Sequence, residues 1–263
     1  MIGIFDSGVG GLTVAHEIKK KLPNNKIIYF GDTARTPYGP KSPEIITKYS
    51  IENTKFLLNK GAKIIIVACN SASAVAADKL KRKFPKVPIF EVITPAVAAA
   101  KLVTVNNKIG VIGTRATIET DIYNKKISHK KNSYQIFNQA CPLFVPLAEE
   151  GWTNTVATKK IADTYLLPLK RKGIDTLILG CTHYPLLRSV IQASIGNKVK
   201  LVDPAVNTAL AVKKYLSQNP QLAKELQIGK KHDFYFSDLS PALNKFITNW
   251  LGQKITPKLH IIK

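Results

Sequence analysis

GAKIIIVACNS (61–71) and GIDTLILGCTH (173–183) carry the same design twice in one chain. Each opens with a glycine after basic residues, Lys60 in one case and Arg171-Lys172 in the other. Each then runs through aliphatic residues to a cysteine, Cys69 or Cys181, which small polar residues follow. A short apolar run bounded in this way reads as a strand buried on both faces. A second, weaker pair is IGIFDSGVGGLT from Ile2 and IGVIGTRATIET from Ile109. The order is the same in each half: a strand with a polar turn, then a strand that ends in cysteine.

Further strands are expected at Lys26–Phe30, Ile89–Val92, Ile136–Gln139 and Val199–Val202. Amphipathic helices fit between them at Leu12–Lys21, Pro43–Lys60, Ser73–Phe84, Thr158–Lys172 and Pro185–Ala193. Alternating strands and helices imply parallel sheets covered on both sides. The expected architecture is α/β: two similar doubly wound α/β domains related by a pseudo-two-fold, with an active site in the cleft between them. The first domain takes 1–94 plus 205–263 and carries Cys69; the second takes 95–204 and carries Cys181. A tail strand, Phe234–Phe236, and a helix, Pro241–Trp250, are expected to pack back on the first. Ligands of parallel α/β sheets bind beyond the carboxyl ends of the strands. Asp6, Asp32, Cys69, Thr114 and Cys181 all stand just after expected strands.

The 263 residues are 45% hydrophobic, enough for a sizeable core. No apolar run approaches the roughly 20 residues of a membrane span, and MIGIFDSG has no basic region ahead of an apolar one. A cytoplasmic protein is expected. Three cysteines without a Cys-x-x-Cys make a poor disulfide or zinc framework, so no metal is expected. The net charge of +22 admits nucleic acid as a partner, but only five of the 39 basic residues are arginine and the lysines are spread along the chain. A solvated lysine surface accounts for this, and its field attracts small anions.

Two cysteines facing one cleft suit proton exchange at a carbon centre, one sulfur taking hydrogen while the other gives it. Cationic neighbours or helix N-termini bring a thiol near working pH. Asn70-Ser71-Ala72-Ser73 reads as a helix start after Cys69, and Pro185 suits a first turn after Cys181. His183 can assist the proton transfer or bias the charge on Cys181. A lone cysteine at a strand end reads instead as a small buried hydrophobe, which is the reading for Cys141. Asp6 has an alternative role as a helix cap, Glu149 as surface charge and His183 as a helix-start hydrogen bond.

DSGVGGLT at 6–13, Asp-x-x-Arg-x-Pro-Tyr-Gly at 32–39, ACNSA at 68–72, PLAEEG at 146–151 and GCTHYP at 180–185 together resemble the glutamate racemases of the aspartate/glutamate racemase superfamily. The resemblance covers essentially the whole chain. It implies interconversion of L- and D-glutamate for peptidoglycan synthesis, with neither cofactor nor metal. It implies that Cys69 handles the α-proton of D-glutamate and Cys181 that of L-glutamate, helped by Asp6, Glu149 and His183. It places Asp6, Ser7, Tyr38, Gly39, Asn70, Ser71, Thr114, Thr117, Thr182 and His183 against the substrate, and allows a homodimer. Ser71 stands where the family usually has threonine, and Ala148 where a bulkier aliphatic is common; neither removes a needed donor. The alternatives are an aspartate racemase, a one-cysteine decarboxylase of similar fold and, from the charge and a reported DNA gyrase contact in some members, a nucleic-acid or gyrase binder.

Overall fold

The structure, a computed structural model, describes residues 1–127, 134–229, 231–240, 243, 247 and 256–261. Among the described residues ten strands form two sheets that are parallel throughout. The first contains β1 (Ile2–Asp6), β2 (Ile27–Gly31), β3 (Ile64–Val67), β4 (Ile89–Glu91), β9 (Asp233–Phe236) and β10 (Lys258–Leu259), in the order β10-β9-β2-β1-β3-β4. The second contains β5 (Lys108–Gly113), β6 (Gln135–Ala140), β7 (Thr176–Gly180) and β8 (Lys200–Val202), in the order β6-β5-β7-β8. Removing the tail strands β9 and β10 leaves β2-β1-β3-β4 against β6-β5-β7-β8. The repeat read from the sequence is thus a repeat of topology, and β1 corresponds to β5 and β3 to β7.

Every residue of β1, β2, β3 and β7 is buried. Side chains alternate faces along a strand, and the cores divide accordingly. Ile2, Ile4, Ile64 and Ile66 face helices α1 (Leu12–Lys21) and α10 (Pro204–Gln218). Phe5, Ile65 and Val67 face α2 (Pro43–Asn59) and α3 (Asn70–Lys83). In the second sheet Leu177 and Leu179 pack towards α8 (Val156–Arg171) and α9 (Arg188–Ile195). Ile109, Val111 and Ile178 pack towards α4 (Ile93–Val103) and α6 (Ile122–Ile127). Each such buried aliphatic contributes roughly 1.5–3 kcal/mol of transfer free energy. Two short helices, α5 (Arg115–Glu119) and α7 (Phe144–Glu149), stand above the carboxyl ends of the second sheet, and α11 (Pro220–Glu225) precedes β9.

The glycines that open the two quoted passages end α2 and α8. Gly61 has φ +88° and Gly173 φ +67°, a region that penalises any Cβ. Their amides bond back to Leu58 and Lys170 carbonyls, which turns the chain into β3 and β7.

Boundaries differ from expectation in two places that matter. Helix α3 starts at Asn70 rather than Ser73, because Cys69 is itself the extended N-cap residue and the Ser73 amide bonds its carbonyl at 2.8 Å. After Cys181, a 3-10 turn at Tyr184–Leu187 precedes α9, which begins only at Arg188. Pro185 has no amide to donate, and the Leu186 amide closes a tight bond to His183 instead. In the tail β9 pairs with β2. Of the helix expected at Pro241–Trp250, Leu243 and Ile247 are helical and buried; its other residues lie outside those described. Among the described residues no helix is long and apolar enough to cross a membrane.

Candidate active site

In both sheets the chain crosses over between the first and third strands of the unit, β1/β3 and β5/β7. Loops leaving such a pair in opposite directions open a crevice at their carboxyl ends. Four stretches converge there: Asp6 to Gly11 after β1, Cys69 to Ser71 after β3, Thr114 after β5 and Cys181 to His183 after β7. Ser7, Tyr38, Gly39, Cys69, Asn70, Ser71, Thr114, Cys181, Thr182 and His183 line one cavity, joined by Thr36, Pro37 and Val145. Its volume is about 30 Å³, room for a water or two, so the cleft is closed. Hydrogen bonds span it. Ser71 Oγ lies 3.0 Å from Thr114 Oγ1, the Ala116 amide donates to Gly39 O at 3.1 Å, and Thr182 Oγ1 donates to Asp6 Oδ1 at 3.5 Å.

The two thiols meet different surroundings. Cys69 Sγ donates to Ser7 Oγ at 3.7 Å. Burial and then the nearby Asp6 carboxylate push this thiol up to about 12, although the Ala72 amide and Ser7 favour the thiolate. Cys69 therefore keeps its proton. Cys181 Sγ lies 3.8 Å from His183 Nδ1, and His183 Nε2 lies 3.0 Å from Glu149 Oε1. Burial of His183 works against its charge. The bonds to Cys181 and Glu149 outweigh that and raise the imidazole to about 10. His183 is therefore a cation that donates from both ring nitrogens. Asp6, fully buried, is raised by loss of solvent, against which His183 and the amides of Gly11, Gly8 and Ser7 act.

The loop carrying Tyr38 and Gly39 rests on a buried carboxylate. Asp32 accepts from the Tyr38 hydroxyl, from Arg35 Nε at 2.8 Å and from Ser237 Oγ at 3.0 Å. Asn53 Nδ2 donates to the Tyr38 hydroxyl at 3.1 Å, and Arg35 also pairs with Glu52. Burial and the Asp32 charge hold the Tyr38 phenol far above its usual range, so its role here is a neutral strut.

The Asp/Glu/Hydantoin racemase family matches residues 12–212. The glutamate racemase of Geobacter metallireducens is 47% identical over 254 residues, 97% of this chain and 93% of that protein. The chain belongs to the glutamate racemase family. A glutamate racemase isoform of Bacillus anthracis superposes with a TM-score of 0.93 at 37% identity, covering 99% of this chain and 97% of that one. The glutamate racemase of Francisella tularensis in complex with D-glutamate gives 0.90 at 36% identity, covering 100% and 97%.

Within this racemase fold, three residues singled out from the sequence stand off the cavity wall. Asp6 is fully buried beneath it, bonded to the Gly8 amide at 3.0 Å as well as to Thr182. Thr117 is buried behind Thr114, hydroxyl to hydroxyl at 3.2 Å. Glu149 is 40% exposed and reaches the site only through His183. It lines a separate hollow of about 200 Å³ with Gly8, Thr36, Glu150 and Asp238. Cys141 is buried, its Sγ directed at Gln139 O, and lines neither hollow. Sequence reasoning did not single out Val145, Thr36 or Asn53. The prolines at 37 and 40, which bracket the Tyr38 loop, could have marked its neighbour Thr36, but nothing local marks Val145 or Asn53. Among the described residues no three His, Cys, Asp or Glu side chains gather as a metal-ligand set.

Proposed function

We propose that this chain interconverts L- and D-glutamate by two-base proton transfer at Cα. Cys69 exchanges the α-proton of the D-enantiomer and Cys181 that of the L-enantiomer. The observation that supports this reading is a single closed cavity with a thiol from each unit on its wall, one beside a carboxylate and one beside a cation. The units would be 1–94 with 205–263, and 95–204.

In the L-to-D direction the Cys181 sulfur, as thiolate, takes the α-proton. The electron pair passes into the substrate's α-carboxylate, and the Cys69 thiol returns a proton from the other face. His183, held in place by Glu149, stands as a cation 3.8 Å from the Cys181 sulfur. In the reverse direction Cys69 must first ionise. A bound ammonium close to Asp6 and Ser7 cancels the charge that opposes this. Donors for the two carboxylates come from Ser7, Asn70, Ser71, Thr114, Thr182 and the Tyr38-Gly39 segment, with Thr117 behind them. Closing these groups around the substrate makes the proton transfers intramolecular. A cavity of about 30 Å³ would have to widen for glutamate to enter and leave.

The product is read as D-glutamate for peptidoglycan, made in the cytoplasm. The test is racemisation of each glutamate enantiomer followed by circular dichroism, with aspartate as the competing substrate. Turnover of glutamate and its loss in Cys69→Ala and in Cys181→Ala, both folded, is the expected result. Near-normal turnover by either variant, or turnover of aspartate alone, overturns the reading.

A further inference from the structure

Tyr123, on α6, is buried, carries no role in the mechanism above, and touches the approaches to both cysteines. Its hydroxyl donates to Asn70 Oδ1 at 3.0 Å, from one unit to the other. A Cβ built on Gly180, the residue before Cys181, would lie 3.4 Å from the same hydroxyl. Asn70 follows Cys69, is 3% exposed, and borders both the main cavity and the small hollow it shares with Cys181 and Thr182.

We propose that Tyr123 is a positioning residue that fixes the Asn70 amide as a donor to the substrate's α-carboxylate. This rests on the two-cysteine reading and deepens it. An asparagine side chain offers an acceptor oxygen and an NH2 group, and alone it can present either. With its oxygen held by the Tyr123 hydroxyl, the Asn70 amide is fixed in orientation, and its NH2 group is the donor it can offer the cavity. A carbon held between the two sulfurs carries a carboxylate, which only accepts, and an ammonium, which only donates. Of these two, only the carboxylate can pair with the Asn70 NH2. That carboxylate gains charge as the α-proton leaves, so a donor fixed towards it counts for more in the transition state than in the ground state. Burial, with the Glu91 and Cys181 charges, holds the Tyr123 phenol well above its usual range, which keeps it a donor at working pH.

The test is a double-mutant cycle of Tyr123→Phe and Asn70→Ala, with kcat and KM measured for both enantiomers and thermal unfolding recorded for each variant. Asn70→Ala should lower kcat/KM by roughly 10- to 100-fold, the range for a hydrogen bond to a charged group. Tyr123→Phe should lower it about tenfold, mainly in kcat, without unfolding the protein. In the Asn70→Ala background Tyr123→Phe should change kcat/KM by less than about twofold, because its effect passes through the missing amide. Losses that multiply, or a Tyr123→Phe variant as active as the parent, overturn the proposal. A silent Asn70→Ala overturns it as well, by removing the group through which Tyr123 acts. Failure of the two-cysteine reading shows elsewhere, as undiminished turnover in Cys69→Ala or Cys181→Ala.

Discussion

Gly10→Ala tests cleft closure with a single methyl group. A Cβ at Gly10 would lie 2.4 Å from Thr182 Oγ1, 2.6 Å from His183 Cε1 and 2.7 Å from His183 Nδ1. All three atoms belong to the opposite loop, the one that carries Cys181. They cannot step aside cheaply, since Thr182 is bonded to Asp6 and His183 to Cys181 and Glu149. Either the loops part or the imidazole leaves Cys181. Overpacking of this kind costs about 1–3 kcal/mol, and about 1.4 kcal/mol is tenfold in an equilibrium or a rate. If the whole cost falls on the closed cleft, kcat/KM drops by roughly five- to 150-fold. The fold of each unit is untouched, so the melting temperature should hold within a few degrees. Gly11→Ala is the control. Its Cβ would meet Asp6 Cβ at 2.4 Å and Ala68 Cβ at 3.1 Å, both in the same unit, so this variant should lose stability. Circular-dichroism assays with both enantiomers, beside thermal unfolding, separate the two outcomes. A Gly10→Ala enzyme within twofold of the parent, or one that loses stability as Gly11→Ala does, would refute the closure argument.

Glu149→Gln keeps the shape and removes the charge that helps sustain the His183 cation at about 10. The carboxylate favours the charged ring, so its loss should lower that pKa by about one to two units and move the basic limb of kcat/KM to lower pH. Because the folded value lies above the unfolded 6.5, the stability this group contributes is complete below about 6.5 and is lost as pH rises through about 10. Thermal unfolding against pH should show that decline, and show it earlier in Glu149→Gln. Cys141→Ala should cost about 1 kcal/mol or less in urea unfolding, for one buried sulfur, with racemisation unchanged. Gly173→Ala, at φ +67° with open space around it, should cost about 1 kcal/mol of stability through backbone strain alone, again read by urea unfolding.

The strands were legible because burial on both faces leaves unbroken aliphatic runs, and Ile64–Val67 and Thr176–Gly180 are of this kind. The glycines that start each passage were legible for a backbone reason, their positive φ. Helix starts were less so. The sequence around Asn70-Ser71-Ala72-Ser73 offers several cap candidates, and the choice of Cys69 depends on where β3 stops. Helices α4 and α10 were not singled out, because α4 is too uniformly apolar to show a polar stripe and α10 begins at a proline that also reads as a boundary. Within the site, residues next to the cysteines came from local spacing. Depth could not. Nothing in the order of residues says that Asp6 and Thr117 stand behind the wall or that Glu149 acts through His183. Tyr123 and Asn70 are 53 positions apart, and they meet because α3 and α6 both pack against α4 and α5.

The repeated topology accounts for how a cysteine comes to follow an equivalent strand in each sheet, since β3 and β7 occupy equivalent positions. Divergence at the neighbouring positions accounts for why the sulfurs are not equivalent. At the end of β1 stands Asp6, whose charge opposes ionisation of Cys69; at the end of β5, at the corresponding place, stands Gly113, which carries none. After Cys181 comes His183, a cation; two residues after Cys69 comes Ser71, a hydroxyl. The site therefore holds hydrogen on Cys69 and a positive charge beside Cys181, which on the proposed reading suits the L-enantiomer. A two-way reaction needs the opposite pattern to be reachable, and the linkage for it runs across the cleft. Asp6 is coupled to His183 and bonded to Thr182. An ammonium that neutralises Asp6 thus removes the charge opposing Cys69 and withdraws part of the field on His183 in the same step. On the proposed two-cysteine reading, the substrate's own ammonium would level the two thiols, so that turnover in the two directions would not be bound to the asymmetry of the site.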